Sequence, residues 1–232
     1  MFDLNRLATE RLSGLRERWS DPLLTVLTII IVCIMFVFAP LQAAGFPVFQ
    51  VLGFVFSLAL IGGVLVLSGS PAATVLLVVA LGMNAVAAVL RLQHQSTADI
   101  YLVAGAWLIV GITLGVVAAR AVFAPGRVTY HRIIGAVLLY LTVALTFVAL
   151  FTFLGLLVPN AFTGIVIEDS RRLASSLIYF SFVTLTSTGY GEIVPVHPVA
   201  RALCNIESIV GQLYPATLLA RLVTLEIEGR GR

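Results

Sequence analysis

The sequence has little charge and no lysine: only 11% of its 232 residues are charged, and all 14 basic residues are arginine. A soluble domain of this size carries about a quarter charged residues. Hydrophobic residues make up 60% of the chain, and the mean hydropathy is +1.08. They are grouped in runs close to the ~20 residues that one transmembrane helix needs. The composition excludes an ordinary soluble protein and predicts an all-α, multi-pass membrane protein.

Cysteine is also scarce, and the patterns that usually carry chemistry are missing. Cys33 and Cys204 both lie inside apolar runs without spaced ligand partners, so we interpret them as small buried hydrophobes. No nucleophile–base pair, metal cluster or phosphate-binding loop occurs at workable spacing. The sequence therefore predicts neither an enzyme nor a bound cofactor, and nothing in it indicates a nucleic-acid partner.

Residues 1–21 interleave leucines and Trp19 with four arginines at helical spacing. One interpretation is an amphipathic helix in the membrane interface, with its arginines toward anionic lipid headgroups. The other is a cytoplasmic lead-in whose arginines only set the membrane topology. Both interpretations are open at this point.

Six apolar segments follow, each a candidate membrane span, and turn residues such as Ala39-Pro40 and Phe46-Pro47 separate them. The first four form one predicted domain over residues 22–124, and the last two belong to a second domain over residues 133–225. The six segments are residues 22–39, 48–68, 72–91, 100–120, 133–158 and 197–224.

The distribution of arginine predicts the orientation in the plasma membrane, because cytoplasmic loops carry an excess of basic residues. Six spans place ten arginines on the side of the N-terminus and four on the other, so both termini are expected in the cytoplasm. The first group is Arg6, Arg11, Arg16, Arg18, Arg120, Arg127, Arg132, Arg221, Arg230 and Arg232, and the second is Arg91, Arg171, Arg172 and Arg201.

The connector between the fifth and sixth segments, residues 159–196, contains a short apolar run of its own. Glu168, Asp169 and Ser170 suit a helix N-cap and first turn, and Leu173–Thr186 then has the length of a short helix. Its 14 residues would extend ~21 Å, too short to cross a bilayer. The connector is therefore predicted to be a re-entrant hairpin, whose irregular backbone must be buried in protein or line a water-filled path.

The glycine-rich stretch TSTGYGE, residues 186–192, follows this short helix. Gly189 and Gly191 allow backbone conformations that aim successive carbonyl oxygens to one side. Stacked carbonyl oxygens replace the hydration shell of a monovalent cation in ion filters. One hairpin supplies a quarter of such a shell, so four chains are expected around a common axis.

The stretch Tyr179–Pro195, YFSFVTLTSTGYGEIVP, resembles the pore loop of the potassium channel family, whose filter is TVGYG. The resemblance covers residues 133–225 and implies a homotetrameric pore domain with K⁺ as the permeating ion. The residues that match the filter are Ser187, Thr188, Gly189, Tyr190 and Gly191. The resemblance implies K⁺ at the first four of these. It implies filter support from Tyr179, Phe180, Thr184, Thr186 and Glu192.

Two filter positions depart from the family pattern. Ser187 replaces a threonine, and Thr188 stands where an aliphatic residue is usual. These departures leave a nonselective or sodium-permeable cation channel as an alternative to a potassium channel. A secondary transporter and a non-conducting scaffold or regulatory subunit are the alternatives from other classes.

The last apolar segment carries three residues of functional interest. Gly211 and Pro215 fall where a hinge for a gate is expected, with ordinary helix packing as the alternative, and we favour the hinge. Glu207 either faces a water cavity or lies behind the filter, bonded to groups such as Thr184 or Thr186. We favour the position behind the filter.

The fourth apolar segment bears on gating. Six spans with a pore loop before the last is the layout of voltage-gated relatives, which carry an arginine ladder on the fourth span. Residues Ile100–Ala119 contain no charged side chain. Because steep voltage dependence needs several gating charges, we expect little intrinsic voltage sensing.

Overall fold

The computed structural model of the protein describes residues 22–46, 48–68, 70–93, 97–123, 130–170 and 172–230. The segment 1–21, with its predicted contact to anionic lipids, lies outside the described residues. Within them the chain forms helices joined by short turns, plus one minimal β-ladder. In chain order these elements are α1 (Pro22–Ala43), α2 (Val48–Ser68), α3 (Pro71–Gln93), α4 (Thr97–Val122), α5 (Tyr130–Leu157), β1 (Phe162–Thr163), α6 (Leu173–Leu185), β2 (Val194–Pro195) and α7 (Pro198–Arg230).

Each of the six predicted spans coincides with a helix. The reason is that the bilayer core offers no hydrogen-bond partners, so an apolar segment inside it must satisfy its backbone polar groups within the segment, as a helix does. Within the described residues, four helices have the length and composition of membrane spans: Pro22–Ala43, Pro71–Arg91, Thr97–Arg120 and Ile133–Leu157. α2 has 21 residues and α7 has 33, and they occupy the other two predicted positions. The protein is an all-α, multi-pass membrane protein.

The predicted end of the first span at Ala39 is wrong, because α1 continues through Pro40 to Ala43. A π-helical stretch, Ile34–Phe38, comes directly before this proline, and the backbone N–H of Ala39 bonds back to the carbonyl of Ile34. A π-bulge already interrupts the regular hydrogen-bond ladder of the helix. The missing N–H of Pro40 is therefore tolerated at a place where proline would otherwise end the helix.

α5 is the central helix, since it contacts α4, α6 and α7. α4 packs along it, and α3 packs on the outside of α4. α1 contacts both α2 and α6, and the rings of Phe36 on α1 and Phe182 on α6 lie 4.8 Å apart. The short helix α6 is thus enclosed by α1, α5 and α7, which together position its C-terminal end.

α6 confirms the short helix expected in the connector, but not its predicted start. Its N-cap is Arg172, without a side-chain hydrogen bond, rather than one of the residues 168–170. Asp169 instead forms an ion pair of 2.9 Å with Arg91 at the end of α3. The sequence predicted that Asp169 would cap this helix, but its carboxylate pairs with the arginine on a distant helix instead. The ion pair also brings the end of α3 and the connector to the same side of the protein.

Candidate ion-filter site

The candidate filter segment, residues 186–192, begins at the C-terminus of α6, and all seven of its residues are exposed in the single chain. The N–H of Ser187 bonds to the carbonyl of Thr184 at 2.9 Å, and the N–H of Thr188 bonds to the carbonyl of Val183 at 2.9 Å. These two bonds, with Ser187 in a left-handed conformation at φ +56°, make a Schellman motif. The motif ends the helix and sets the direction in which the filter segment leaves it.

The N–H groups of three successive residues point at the end of α6, because Gly189 also donates to the carbonyl of Val183 at 3.1 Å. In a trans peptide the carbonyl points opposite to the N–H, and no described peptide bond is cis. The carbonyl oxygens of Thr186, Ser187 and Thr188 therefore point away from α6. The geometry places three consecutive carbonyls on the side of the segment that the helix does not cover.

Left-handed φ values recur at every second residue of the segment. Ser187 has φ +56°, Gly189 has φ +57° and Gly191 has φ +85°, whereas Thr188 and Tyr190 have negative φ. Alternation of this kind directs successive N–H groups to one side of the chain and their carbonyls to the other. Ser187 is the one member of the series that is not glycine, and an L-residue in this conformation is strained by ~1–2 kcal/mol.

The hydroxyls at the start of the segment form a chain. Thr186 donates from Oγ1 to the carbonyl of Phe182 at 2.7 Å, and its oxygen lies 2.8 Å from Oγ1 of Thr188. Since the Thr186 proton is already used, Thr188 donates to Thr186. The hydroxyl of Thr188 thus has a partner within the chain, where an aliphatic residue was expected. Thr184 supports the segment through its backbone carbonyl, because its hydroxyl bonds to Phe180 within α6.

The two aromatic residues predicted to support the filter have different surroundings. The ring of Tyr179 stacks on Tyr190, with centroids 6.3 Å apart and an interplanar angle of 5°. Desolvation, followed by the Glu192 carboxylate at the outer end of the segment, raises the pKa of the Tyr179 hydroxyl. Phe180 is buried on the other side of α6, against Phe151 and Phe162 at 4.9 and 5.5 Å. Tyr179 contacts the filter segment directly, and Phe180 anchors α6 to α5.

The outer end of the segment is held by a feature that the sequence analysis did not identify. β1 and β2 pair antiparallel, with Thr163 opposite Val194. Gly164 has φ +84°, and a Cβ added there would lie only 1.9 Å from the carbonyl oxygen of Glu192. Only glycine allows so close an approach. The sequence signal was the Thr163-Gly164 pair in the connector, but nothing local indicated what it would contact.

A cavity of about 210 Å³ lies behind the outer half of the segment. It is lined by Gly189 and Gly191 of the segment, by Tyr179 and Val183 of α6, and by Cys204 of α7, among others. The inner half of the segment is hydrogen-bonded to α6, whereas the outer half leaves this space unfilled in a single chain.

Glu207 lies behind α6 and not in a water cavity, since its side chain has no exposed surface. Glu207 is thus packed against the helix that leads into the candidate filter segment, and its role in filter support stays a prediction. Its partner is Ser181, whose Oγ is 2.5 Å from Oε1, rather than Thr184 or Thr186. Ser181 lies one turn before those threonines, and the sequence could not specify this register between α6 and α7.

Gly211 lies against the end of α6: a Cβ there would be 1.9 Å from the carbonyl oxygen of Leu185. This close approach shows tight packing at Gly211, and the hinge that the sequence analysis favoured stays a prediction. α7 continues as one helix through Pro215, which lies inside it. Pro215 lacks the N–H that would bond to the carbonyl of Gly211, so both residues affect the same turn.

The residues around Gly211 continue this contact with α6 and the filter segment. Ser208 donates to the carbonyl of Thr184 at 3.0 Å. Gln212, which the sequence analysis did not count among the site residues, donates from Nε2 to Oγ of Ser187 at 3.2 Å. Positions 207, 208, 211 and 212 lie on one side of a helix, because 207 and 208 are each three or four residues from 211 and 208 is four residues from 212.

Comparison with known proteins finds similarity over the C-terminal part of the chain. Residues 137–227, from within α5 to within α7, match a family model described as ion channel. Protein LctB of Bacillus caldotenax is 36% identical over 56 residues, which cover 24% of this chain and 41% of that protein. The matched stretch is thus less than half of LctB. No solved structure matches the chain significantly. Residues 137–227 are thus similar to an ion channel domain, and the matched family is one of channels, not of enzymes.

Proposed function

We propose that the protein is a homotetrameric, six-span potassium channel of the plasma membrane that conducts K⁺ passively through residues Ser187–Gly191. The observation that carries this proposal is the backbone of the filter segment. Its first N–H groups are bonded to the end of α6, its carbonyls point the other way, and left-handed φ recurs at every second residue. Carbonyls aligned on one side of a chain are what a dehydrated monovalent cation requires.

Four copies are proposed because one chain leaves the site incomplete. The whole filter segment is exposed in the single chain, including 70% of the Tyr190 side chain. The cavity behind Gly189 and Gly191 also has no side chain filling it. Four filter segments around one axis would enclose the carbonyls and complete the coordination shell.

The proposed topology has both termini in the cytoplasm and the filter segment near the outer surface. It follows from six spans and from the arginine distribution. The ion pair between Arg91 and Asp169 supports the number of spans but not the orientation, because two spans between these residues put the end of α3 and the connector on the same side.

Potassium is proposed as the preferred ion because the G-Y-G sequence is retained. Thr188, one of the two departures, has a hydrogen-bond partner in Thr186, so its hydroxyl does not disturb the packing. A sodium-permeable channel with the same fold is the second candidate, and Ser187 is the observation that favours it. Serine lacks the methyl group that packs the innermost site.

Flux measurements on purified protein in liposomes test the proposal. We expect a K⁺ gradient to drive passive flux without proton coupling, with much smaller flux under an equal Na⁺ gradient. Equal fluxes would favour the nonselective channel, and no flux in either gradient would favour a scaffold subunit. A purified protein that proves to be monomeric would also contradict the proposal.

Gly189→Ala supplies a matched comparison. Within one chain a Cβ at Gly189 meets nothing within 4 Å, so there the substitution acts through the left-handed φ of +57°. Gly45→Ala is the control, because Gly45 has φ +103° and equally open space but lies between α1 and α2. We expect Gly189→Ala to abolish K⁺ flux and Gly45→Ala to keep it.

A further inference from the structure

We infer that Gln212 is a positioning residue for ion selectivity, which it sets by holding the hydroxyl of Ser187. The inference rests on the proposed function, since it concerns which cation the filter segment passes. Gln212 reaches from α7 to the first residue of the segment, where Nε2 lies 3.2 Å from Oγ of Ser187 and 3.5 Å from the carbonyl of Thr186. It is the α7 side chain bonded to a residue that we propose as an ion ligand.

The position of Gln212 depends on the glycine before it. Gly211 lets α7 approach the carbonyl of Leu185 so closely that any side chain there would collide. The short distance between the two backbones brings the next side chain within reach of the filter segment. Gly211 and Gln212 therefore act together. Gly211 has no side chain that would hold the two backbones apart, and Gln212 supplies the amide that reaches Ser187.

The orientation of the Ser187 hydroxyl depends on a hydrogen bond such as the one from Gln212. Its N–H is bonded to Thr184, and its φ of +56° is one that serine adopts only with strain. Its side chain is exposed in the single chain, as is that of Gln212. Serine also lacks the methyl group that would restrict its side chain by packing, so the amide of Gln212 takes over that restriction.

The chemistry of the bond links it to selectivity. A hydroxyl oxygen has two lone pairs, and the amide N–H occupies one, which leaves the other for a cation or water. Selectivity among monovalent cations depends on the size of the ligand cage and on the strength of its dipoles. When the hydroxyl of Ser187 is held in place, the ring of four such hydroxyls in the proposed tetramer keeps one diameter. A free hydroxyl can turn inward to contact a smaller ion, so the loss of Gln212 favours Na⁺.

The test uses reversal potentials of the full-length channel under K⁺ and Na⁺. Gln212→Met keeps the length of the side chain and removes the donor. Ser187→Gly removes the acceptor and relieves the left-handed strain, so this variant folds at least as readily as the parent. We expect Gln212→Met to lower the K⁺/Na⁺ permeability ratio by about fivefold, the effect of losing one neutral hydrogen bond. Ser187→Gly should lower the ratio at least as much, because it also removes a proposed ion ligand. The double variant should fall no further than Ser187→Gly.

Tyr214→Phe is the matched control, because the Tyr214 hydroxyl also joins α7 to another helix but bonds to the carbonyl of Ala136 on α5 and not to α6 or the filter segment. Its permeability ratio should stay at the parental value. If the parent conducts, an unchanged ratio in Gln212→Met, additive effects in the double variant, or an equal loss in Tyr214→Phe would each overturn this inference and leave the channel proposal intact. If the parent conducts no cation, the proposed function fails and the inference with it.

Discussion

The hydroxyl of Ser181 on α6 lies 2.5 Å from Oε1 of Glu207 on α7, and both side chains are fully buried. The same hydroxyl lies 3.0 Å from the backbone carbonyl of Ala144 on α5, so one serine links three helices. A hydroxyl has a single proton to share between these two acceptors. The acid in the membrane-spanning part of α7 is thus a structural partner of α6.

Glu207→Gln should leave the unitary conductance and its rectification unchanged. The reason is that residue 207 does not face the ion path, and a glutamine amide can donate to Ser181, which then donates to Ala144. The measurement is single-channel recording in symmetrical K⁺. A changed rectification in this variant would mean that the carboxylate acts on permeating ions.

Glu207→Leu is the companion variant. It removes one of the two acceptors of the buried Ser181 hydroxyl, and we expect a loss of ~1 kcal/mol in stability, the value of one hydrogen bond. Thermal denaturation of the purified protein measures the difference between the two variants. Equal melting temperatures would show that the bond to Ser181 contributes nothing.

Gly164→Ala should disturb the outer end of the filter segment. The added Cβ would lie 1.9 Å from the carbonyl oxygen of Glu192, so either β1 or the filter segment must move. We expect lower unitary conductance, with a loss of ~1–3 kcal/mol in stability from overpacking. Gly45→Ala again serves as control, because it has comparable backbone strain without the collision. Similar conductance in both variants would contradict the role assigned to Gly164.

Gly211→Ala distinguishes packing from hinge motion. If the role of Gly211 is close packing on Leu185, the variant should lose assembled protein and melt at lower temperature, since the collision is with backbone. Gly62→Ala in α2 is the control, because a Cβ there meets nothing within 4 Å. A variant of normal stability whose open probability alone changes would instead support the hinge.

Opening should depend only weakly on voltage. The charged residues of α4 are Asp99 and Arg120, near its two ends. One elementary charge moved across 100 mV is worth ~2.3 kcal/mol, about a fiftyfold change in the open-to-closed ratio. We expect a change of less than about fivefold per 100 mV in planar bilayers, well below one moved charge. Steeper dependence that persists in Arg120→Gln would require a voltage sensor elsewhere in the chain.

The membrane topology can be checked by cysteine labelling after Cys33 and Cys204 are replaced. Glu168→Cys lies in the exposed part of the connector, and Tyr130→Cys is 72% exposed at the start of α5. A membrane-impermeant thiol reagent should label residue 168 from outside intact cells and residue 130 only after permeabilisation. The reverse pattern would invert the proposed orientation.

Much of the fold follows from the sequence alone. Apolar runs of about 20 residues had to be helices, because a bilayer offers no other partner for backbone polar groups. The run from Leu173 onward was too short to span, and it is the short helix α6. The match of residues 137–227 to an ion channel family agrees with the pore resemblance seen around Tyr190. These features are local, since each depends on one continuous stretch of chain.

The tertiary structure decided the pairings between distant stretches. Which face of α7 contacts α6 depends on how closely the two backbones approach, and they come close at Gly211 and Leu185. That register made Ser181 the partner of Glu207 and brought Gln212 to Ser187. Asp169 does not form the predicted helix cap, because it pairs with Arg91, 78 residues away. Local sequence determines hydrogen bonds along a helix, but bonds between helices depend on their packing, which no single stretch encodes.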